Sequence, residues 1–291
     1  MEMQETLIFR SYGKINWFLS IGDLREDGYH EIQSLIQKVS LYDEIEIVPS
    51  SCDSITCDYP IPVGKGSLLW RTLRKLREIY PDLAHTHFSI TIKKHIPPGS
   101  GLGGGSSNVA SLLRELPRFY GATVFKEDLL RVSLALGSDI PFFLEDASFA
   151  LVQGRGEKVL PLKPVPQRYL VLFFPPFSVS TTWAYRAWDR EKTCWQVLTQ
   201  ARKESFQKFL AGGNYETIEE VIWNDFELLV IRYYPALQTY RDRLMDLGCQ
   251  YVFMTGSGST LVGVVRTKEE GEEMSQKLGK EGFRVVLAST L

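Results

Sequence analysis

The 291-residue sequence predicts an α+β protein of two domains. Three observations carry that expectation. Segments with the period-two alternation of half-buried strands are mixed with segments of helical spacing, and most of the strands read as antiparallel, unlike the regular alternation of a doubly wound sheet. The chain exceeds the length of one typical domain and should bury roughly three quarters of the surface its unfolded form exposes. The Pro-containing stretch Pro161 to Pro166 interrupts both patterns and is the expected boundary, giving domains 1–163 and 164–291.

Leu7 to Arg10 and Ile15 to Ile21 read as strands around Gly13, and Glu44 to Val48 as another. A connector rich in Pro, Gly and Asp covers Cys52 to Gly66. Leu68 to Ile79 has helical spacing with Arg71, Arg74, Lys75 and Arg77 opposite its apolar stripe, the pattern of a solvated helix face. Phe88, Ile90 and Ile92 alternate with Ser89, Thr91 and Lys93 as a strand. Val109, Leu112, Leu113 and Leu116 define a helix that Ser106, Ser107 or Asn108 would cap. Lys126 to Leu136 is a further helix stopped by Gly137. Phe149 to Gln153 and Glu157 to Leu160 form a hairpin turning at Gly154 and Gly156.

The second half opens with strand Arg168 to Phe174, ended by Pro175-Pro176. Helical patterns follow at Thr182 to Asp189, Gln196 to Leu210, Tyr215 to Trp223 and Pro235 to Leu247. Strands Tyr251 to Thr255 and Leu261 to Val265, helix Lys268 to Gly279 and strand Arg284 to Leu287 close the chain, with no internal repeat.

Composition narrows the function classes. Hydrophobic content of 44% and charged content of 23% are ordinary for a globular protein. Thirty-three Lys and Arg against 35 Asp and Glu leave a net charge of −2, which argues against a broad nucleic-acid footprint and confines any anion site to a local feature. Cys52, Cys57, Cys194 and Cys249 contain no C-x-x-C pair and the four histidines complete no zinc spacing, so reduced thiols and no protein-held metal are expected. The sequence begins without a signal-peptide pattern and holds no apolar run of membrane-spanning length. A bacterial cytoplasmic protein is the expectation, as monomer or weak homodimer, with no nucleic-acid or membrane partner.

The densest signal is Pro97-Pro98-Gly99-Ser100-Gly101-Leu102-Gly103-Gly104-Gly105-Ser106-Ser107-Asn108, with five glycines in seven positions between a strand and a helix. Such a concentration sacrifices backbone entropy and burial, and is expected where backbone approaches something closely or takes positive φ. A helix starting there directs free N–H groups and its positive dipole end into the turn, a setting for phosphate. Gly99, Gly101 and Gly104 satisfy G-x-G-x-x-G, but no strand ending in an acidic residue follows about twenty residues on, as a dinucleotide site needs. The G-x-x-x-x-G-K-[ST] loop is absent, as are the H-R-D and D-F-G segments of protein kinases. A flexible surface loop is the remaining alternative.

Other residues read two ways. Lys14 and Asn16 share one face of a strand, either as an edge guard or as a polar site. Asp139, on the turn before Phe142 and Phe143, is either a turn former or a carboxylate placed to accept a hydroxyl proton. Asp27-Gly28-Tyr29-His30-Glu31 is a surface turn, or a turn offering Tyr29 to stack on a base and His30 to read its edge. Thr255-Gly256-Ser257-Gly258-Ser259-Thr260 is a hairpin loop, or a second backbone approach to phosphates.

Taken in order, Lys14-Ile15-Asn16, Asp27-Gly28-Tyr29-His30, Pro98 to Asn108, Gly137 to Phe143, Val179-Ser180-Thr181 and Thr255 to Ser259 resemble the motifs of the GHMP kinases along nearly the whole chain. Within them the Gly-Leu-Gly-Gly-Gly-Ser-Ser-Asn form and the Asp-Gly-Tyr-His turn are similar to the members acting on cytidine diphosphate-linked methylerythritol in non-mevalonate isoprenoid synthesis. The resemblance implies two α+β halves, the first ribosomal-protein-like and the second ferredoxin-like, with the site between them. It implies transfer of the ATP γ-phosphoryl group to the substrate's 2-hydroxyl, with Mg2+ held mostly by nucleotide and water.

By the same resemblance Asp139 is the base, and Lys14 keeps it ionised and stabilises developing charge. Pro98, Gly99, Ser100, Gly101, Leu102, Gly103, Gly104, Gly105, Ser106, Ser107 and Asn108 bind ATP, with the Ser106 and Ser107 hydroxyls near phosphate or metal. Asn16, Thr181, Gly256 and Ser257 meet the substrate, and Tyr29, His30 and Tyr185 form the cytidine site, Trp183 being the competing second ring. A kinase for mevalonate-like or amino-alcohol substrates, or a nucleotide sensor without catalysis, are the alternatives.

Overall fold

Long hydrophobic alternation in the first fifty residues produces two very long strands. The computed structural model describes residues 6–163 and 165–291, apart from the side chains of residues 195–198. The expected boundary between residues 163 and 164 falls at residue 164, outside the described residues. Strand β1 (Leu7–Leu24) runs through the two strands expected around Gly13, and β2 (His30–Ser50) extends well beyond Glu44 to Val48. They pair antiparallel along their length, with register shifts at Tyr12/Lys14, Asn16/Phe18 and Ile21/Leu24. Gly13 sits at the first shift, so it re-aims a continuous strand rather than ending one.

The first sheet is ordered β3 (Ser54–Cys57), β4 (His87–Lys93), β2, β1 and β8 (Trp223–Asn224). Strand β5 (Phe149–Gly154) pairs with the other part of β2, and β6 (Lys158–Pro161) with β5, forming the expected hairpin. Strand β3 lies inside the expected connector, too short to show a period. Only β3–β4 and β1–β8 are parallel among the pairs of this sheet that are described. Helices α1 (Leu68–Ile79), α2 (Gly104–Phe119), α3 (Lys126–Leu136) and the short α4 (Ile140–Leu144) cover one face, burying Leu73, Leu76, Leu112, Leu113 and Phe142 against Ile45, Ile47, Ile90 and Ile92.

The second sheet is wholly antiparallel in the order β11 (Arg284–Ser289), β7 (Tyr169–Phe174), β10 (Leu261–Val265), β9 (Tyr251–Met254), with α7 (Ala236–Asp246) and α8 (Lys268–Lys280) against it. That strand order is the ferredoxin-like arrangement. The expected helices Thr182 to Asp189 and Gln196 to Leu210 are one helix, α5 (Thr181–Gly212). Tyr215 to Trp223 is not a helix: only Ile218–Val221 makes a 3₁₀ turn, after which Trp223 and Asn224 add β8 to the first sheet, because burial of Ile218 and Val221 needs only two inward residues. Helix α6 (Asp225–Tyr233) follows at once, capped by the Asn224 side chain, which accepts from Phe226 N at 2.9 Å.

A third buried cluster joins the sheets: Ile15, Trp17, Phe18 and Leu35 meet Leu170, Leu172, Phe253 and Val264. Phe18 lies face to face on Phe206 of α5, ring centroids 3.8 Å apart and both buried. The chain end completes the junction, with Leu291 N donating to Lys38 O at 3.0 Å and Ser289 N to Ser40 Oγ at 2.8 Å. Truncation of the stacked ring, Phe206→Ala, should cost about 3–5 kcal/mol of stability in urea denaturation; a loss below about 1 kcal/mol would show that the stack is not part of the core.

Candidate active site

The glycine run is held from three sides. Lys14 N of β1 donates to Leu102 O at 2.9 Å. Gly99, Gly101 and Gly103 all take positive φ, and α2 starts at Gly104. The helix therefore begins ahead of the expected caps. Gly103 is its N-cap, with no side-chain hydrogen bond, and Ser106, Ser107 and Asn108 lie inside the first turns, leaving their first backbone N–H groups pointing out of the helix end.

Each glycine has its own reason. A Cβ on Gly101 would come within 2.3 Å of Thr255 O, so this residue lets the run press against the turn between β9 and β10. Gly256 answers from that turn, its own Cβ position lying 2.9 Å from Gly101 Cα. A Cβ on Gly103 would meet Phe143 and the Lys14 stem. Gly105 has nothing within 4 Å and an ordinary helical φ, so neither packing nor backbone conformation requires glycine there. It faces open space at the start of α2.

Behind the run, Ser107 and Asn108 turn inward. Ser11 Oγ donates to Ser107 Oγ at 2.8 Å, and Asn108 Nδ2 donates to Ser11 Oγ at 3.0 Å and to Asp43 Oδ2 at 2.9 Å. Asp43 also accepts from the backbone N–H groups of His95 and Ile96, both at 2.9 Å, and pairs with the buried Lys94 ammonium. The Ser107 hydroxyl expected at phosphate is thus committed to β1, since a helix starting at Gly104 aims that position at the sheet. Leu102 is fully buried in the core.

A cavity of about 310 Å³ opens in front of the run, lined by Gly99, Ser100, Gly101, Gly103, Gly104, Gly105 and Ser106 together with Lys14, Asn16, Asp139, Thr181, Tyr185, Gly256 and Ser257. The Lys14 ammonium is only 4% exposed, donates to Asn16 Oδ1 at 2.6 Å and stands 3.9 Å from Asp139 Oδ2. Burial holds its pKa below the ordinary lysine value, and the Asp139 carboxylate offsets part of that. Asp139 itself, the residue before α4, is 41% exposed toward the cavities.

Asn16 does more than line the wall. Its Oδ1 also accepts from Gly256 N at 3.1 Å and Thr255 Oγ1 at 3.3 Å, its Nδ2 donates to Ser34 Oγ at 2.8 Å, and its backbone N donates to Thr255 Oγ1 at 2.9 Å. Asn224 Nδ2 grips the other side of the turn through Met254 O and Gly256 O, both at 2.8 Å. Thr181 and Ser257 share a 2.9 Å hydroxyl contact across the cavity mouth. The late turn is both a hairpin and a wall of the site.

A second cavity of about 520 Å³ adjoins the first and is lined by Leu24, Tyr29, His30, Ser138, Arg155, Thr182, Tyr185, Arg186 and Asp189. Ile32, Ser106, Asp139, Thr181 and Tyr185 line both spaces. The Tyr185 ring stacks on His30, centroids 5.3 Å apart at 20°, and burial, with the nearby Asp139 charge, pushes its phenol pKa up. Trp183 faces away, edge-on to Tyr233 and Tyr234. Tyr29 is half exposed under the Arg155 guanidinium, 4.7 Å from its ring centroid.

Sequence reading missed Arg155, Asp189 and Asn224. Gly154 and Gly156 were a usable signal for Arg155: both take positive φ, and a Cβ on Gly156 would come within 2.2 Å of Ser138 O, so the hairpin turn is pressed against the Asp139 loop. Asp189 lies one helical turn beyond Tyr185. Asn224 gave no local signal.

Comparison with known proteins places both halves of the chain. Residues 67–146 match the family "GHMP kinases N terminal domain" and residues 204–284 "GHMP kinases C terminal". The 4-diphosphocytidyl-2-C-methyl-D-erythritol kinase of Prosthecochloris aestuarii is 33% identical over 283 residues, covering 94% of each chain. A crystal structure of a 4-(cytidine 5'-diphospho)-2C-methyl-D-erythritol kinase superposes with a TM-score of 0.74 at 29% identity, covering 98% of this chain and 99% of the other. A homoserine kinase from Cytophaga hutchinsonii, at 15% identity, shares the fold, with a TM-score of 0.70 and coverage of 100% and 96%.

Two glycine substitutions separate packing from ligand approach. Gly101→Ala should lose at least about 1–2 kcal/mol in thermal denaturation from its left-handed backbone alone. Gly105→Ala should keep or slightly raise stability, because alanine is favoured over glycine in a helix by up to about 1 kcal/mol, yet weaken triphosphate binding in calorimetry. Full affinity in the second variant would remove the ligand argument for Gly105.

Proposed function

Because the chain belongs to the GHMP kinase family, we propose that it phosphorylates the 2-hydroxyl of 4-diphosphocytidyl-2-C-methyl-D-erythritol with ATP, a step of non-mevalonate isoprenoid precursor synthesis. The observation that carries this is the position of Asp139 where the two cavities meet, one floored by the glycine run and the other walled by Tyr29, His30 and Tyr185. Residues 1–163 and 164–291 are read as its two domains, a division supported by the separate N- and C-terminal family matches. It works in the bacterial cytoplasm as a monomer or weak homodimer. Among the described residues no helix is long and apolar enough to cross a membrane.

Nucleotide fits the first cavity. The open start of α2 offers backbone N–H groups and the positive end of its dipole to phosphate oxygens, and Gly105 leaves room for them. Beside it a smaller apolar space of about 200 Å³, lined by Ile61, Pro62, Leu68 and Leu69, would accept the purine. ATP supplies the γ-phosphoryl group. The described residues hold no cluster of three or more His, Cys, Asp or Glu side chains suited to a metal, so Mg2+ would be carried on phosphate oxygens, with Asp139 the carboxylate lining the cavity.

Asp139 then accepts the proton of the 2-hydroxyl as its oxygen bonds to the γ-phosphorus and the bond to the β-phosphate oxygen breaks, releasing ADP. The Lys14 ammonium, fixed by Asn16, faces the reacting groups and offsets the negative charge gathering there. The base half of the substrate lies in the aromatic cavity, with Thr181, Gly256 and Ser257 along the path between.

Asp139→Asn should lower kcat by about 10²–10⁴-fold with ATP binding retained, read by coupled ADP release and by calorimetry; unchanged turnover would overturn the assignment. Since burial lowers the Lys14 pKa, its ammonium loses the proton as pH rises through a value below the ordinary lysine pKa of about 10.4. Activity should therefore fall on that basic limb, and Lys14→Arg should remove the limb while lowering kcat.

A further inference from the structure

Asn224 is almost wholly buried and lines neither of the two adjoining cavities. Backbone fixes its place twice, since it pairs with Leu19 in the parallel β1–β8 ladder and is the N-cap of α6. Its Oδ1 accepts from Phe226 N at 2.9 Å, so the amide presents its two N–H donors to the other side. Those donors go to Met254 O and Gly256 O, both at 2.8 Å. Glu227, in the first turn of α6, accepts from Met254 N at 3.0 Å. The start of α6 therefore holds the N–H and C=O of Met254 and the C=O of Gly256.

The opposite side of the same turn meets Asn16. Asn16 Oδ1 accepts from the Lys14 ammonium at 2.6 Å, from Gly256 N at 3.1 Å and from Thr255 Oγ1 at 3.3 Å, while Nδ2 donates to Ser34 Oγ at 2.8 Å. Turned over, the amide would point N–H groups at an ammonium and at a backbone N–H. Its oxygen would then face Ser34 Oγ, whose proton is already given to Phe18 O. Two of the contacts that settle this orientation come from the turn that Asn224 holds. Gly101 wedges the turn from a third side, its missing Cβ admitting Thr255 O. The charged group that acts on the Lys14 ammonium is Asp139, so Asn224 bears on Lys14 by placement of Asn16 alone.

We propose that Asn224 is a positioning residue for phosphoryl transfer: by holding Met254 O and Gly256 O it fixes the turn that keeps Asn16 Oδ1 on the Lys14 ammonium, without touching any reacting group. The consequence for turnover rests on the kinase reading of the site, whereas the consequence for Lys14 does not. A hydrogen bond to the charged form favours that form, so loosening Asn16 moves the Lys14 pKa further below the ordinary lysine value. If Asn224 served only to cap α6 and join β8 to the core, its loss would cost stability and leave Lys14 as it is.

Asn224→Ser keeps an oxygen to cap α6 and removes both amide donors. Asn224→Asp keeps the shape and the cap and turns a carboxylate on the two carbonyl oxygens, a second route to the same loss should the serine variant fold poorly. Thermal denaturation checks the fold of each. Carbon-13 NMR titration of the full-length protein labelled at lysine Cε reads Lys14 directly, its resonance assigned by its absence in Lys14→Arg. The Lys14 pKa should fall by about one unit in either variant, the roughly tenfold worth of a hydrogen bond to a charged group. In the same variants kcat should fall about tenfold with the KM for ATP kept within about threefold, and the basic limb of the activity profile should move down by the same unit. In an Asn16→Ala background, where Lys14 has already lost that oxygen, Asn224→Ser should add no further shift. An unchanged Lys14 titration in a folded variant, or an equal shift in the Asn16→Ala background, overturns the proposal. A shifted Lys14 in a protein that does not phosphorylate the cytidine-linked substrate removes the kinase reading and leaves the placement of Lys14 standing, while turnover with an unshifted Lys14 does the opposite.

Discussion

The Lys14 ammonium is a charge taken almost completely out of water, and the site is arranged around making that tolerable. An unpaired buried ammonium costs several kcal/mol or gives up its proton. Here it has Asn16 as a hydrogen-bond partner at 2.6 Å and the Asp139 carboxylate 3.9 Å away. Asn16 can serve only because its own amide is fixed by Ser34 of β2 and by Thr255 and Gly256 of the second sheet. One cation therefore ties together the two sheets and the loop carrying Asp139.

That constraint explains why the glycine run cannot be read as a single device. Gly101 and Gly256 are glycines because two backbones touch there, bringing the late turn onto Asn16. Gly103 gives α2 its left-handed start and leaves room for the Lys14 stem. The buried group of Asp43, Lys94, Asn108 and Ser11 fixes the first turns of α2 from behind. Once those needs are met Gly105 remains, facing open space at the helix start. The run is a structural joint first, and its free end lines the cavity that holds Lys14 and Asp139.

The aromatic cavity is built by different means, from chain segments that meet only in the folded state. The turn after β1 brings Tyr29 and His30, the start of α5 brings Thr181, Tyr185 and Asp189, and the hairpin of β5 and β6 brings Arg155. Its joining to the glycine cavity at Asp139 follows from Gly156, whose missing Cβ lets the hairpin close on Ser138. The two adjoining cavities are thus aligned by packing of the hairpin as much as by the residues that line them.

The sequence by itself determined the fold class, most of the helices and strands, the glycine run as a backbone approach, and the six ordered motifs, because each of these is written in local periodicity or in short runs of unusual residues. Helices Leu68–Ile79 and Lys126–Leu136 were legible to the residue for that reason. The continuity of β1 through Gly13, the start of α2 at Gly104 and the inward turn of Ser107 were not, since a bulge, a left-handed cap and a side-chain direction depend on what packs alongside. Nor could spacing tell that Lys14 and Asp139 stand 3.9 Å apart, that Tyr185 rather than Trp183 faces the cavity, or that Asp189 meets His30 across 159 positions of chain. Only tertiary structure decided these, because hydrogen bonds and burial act between surfaces that become neighbours when the two sheets close on their shared core.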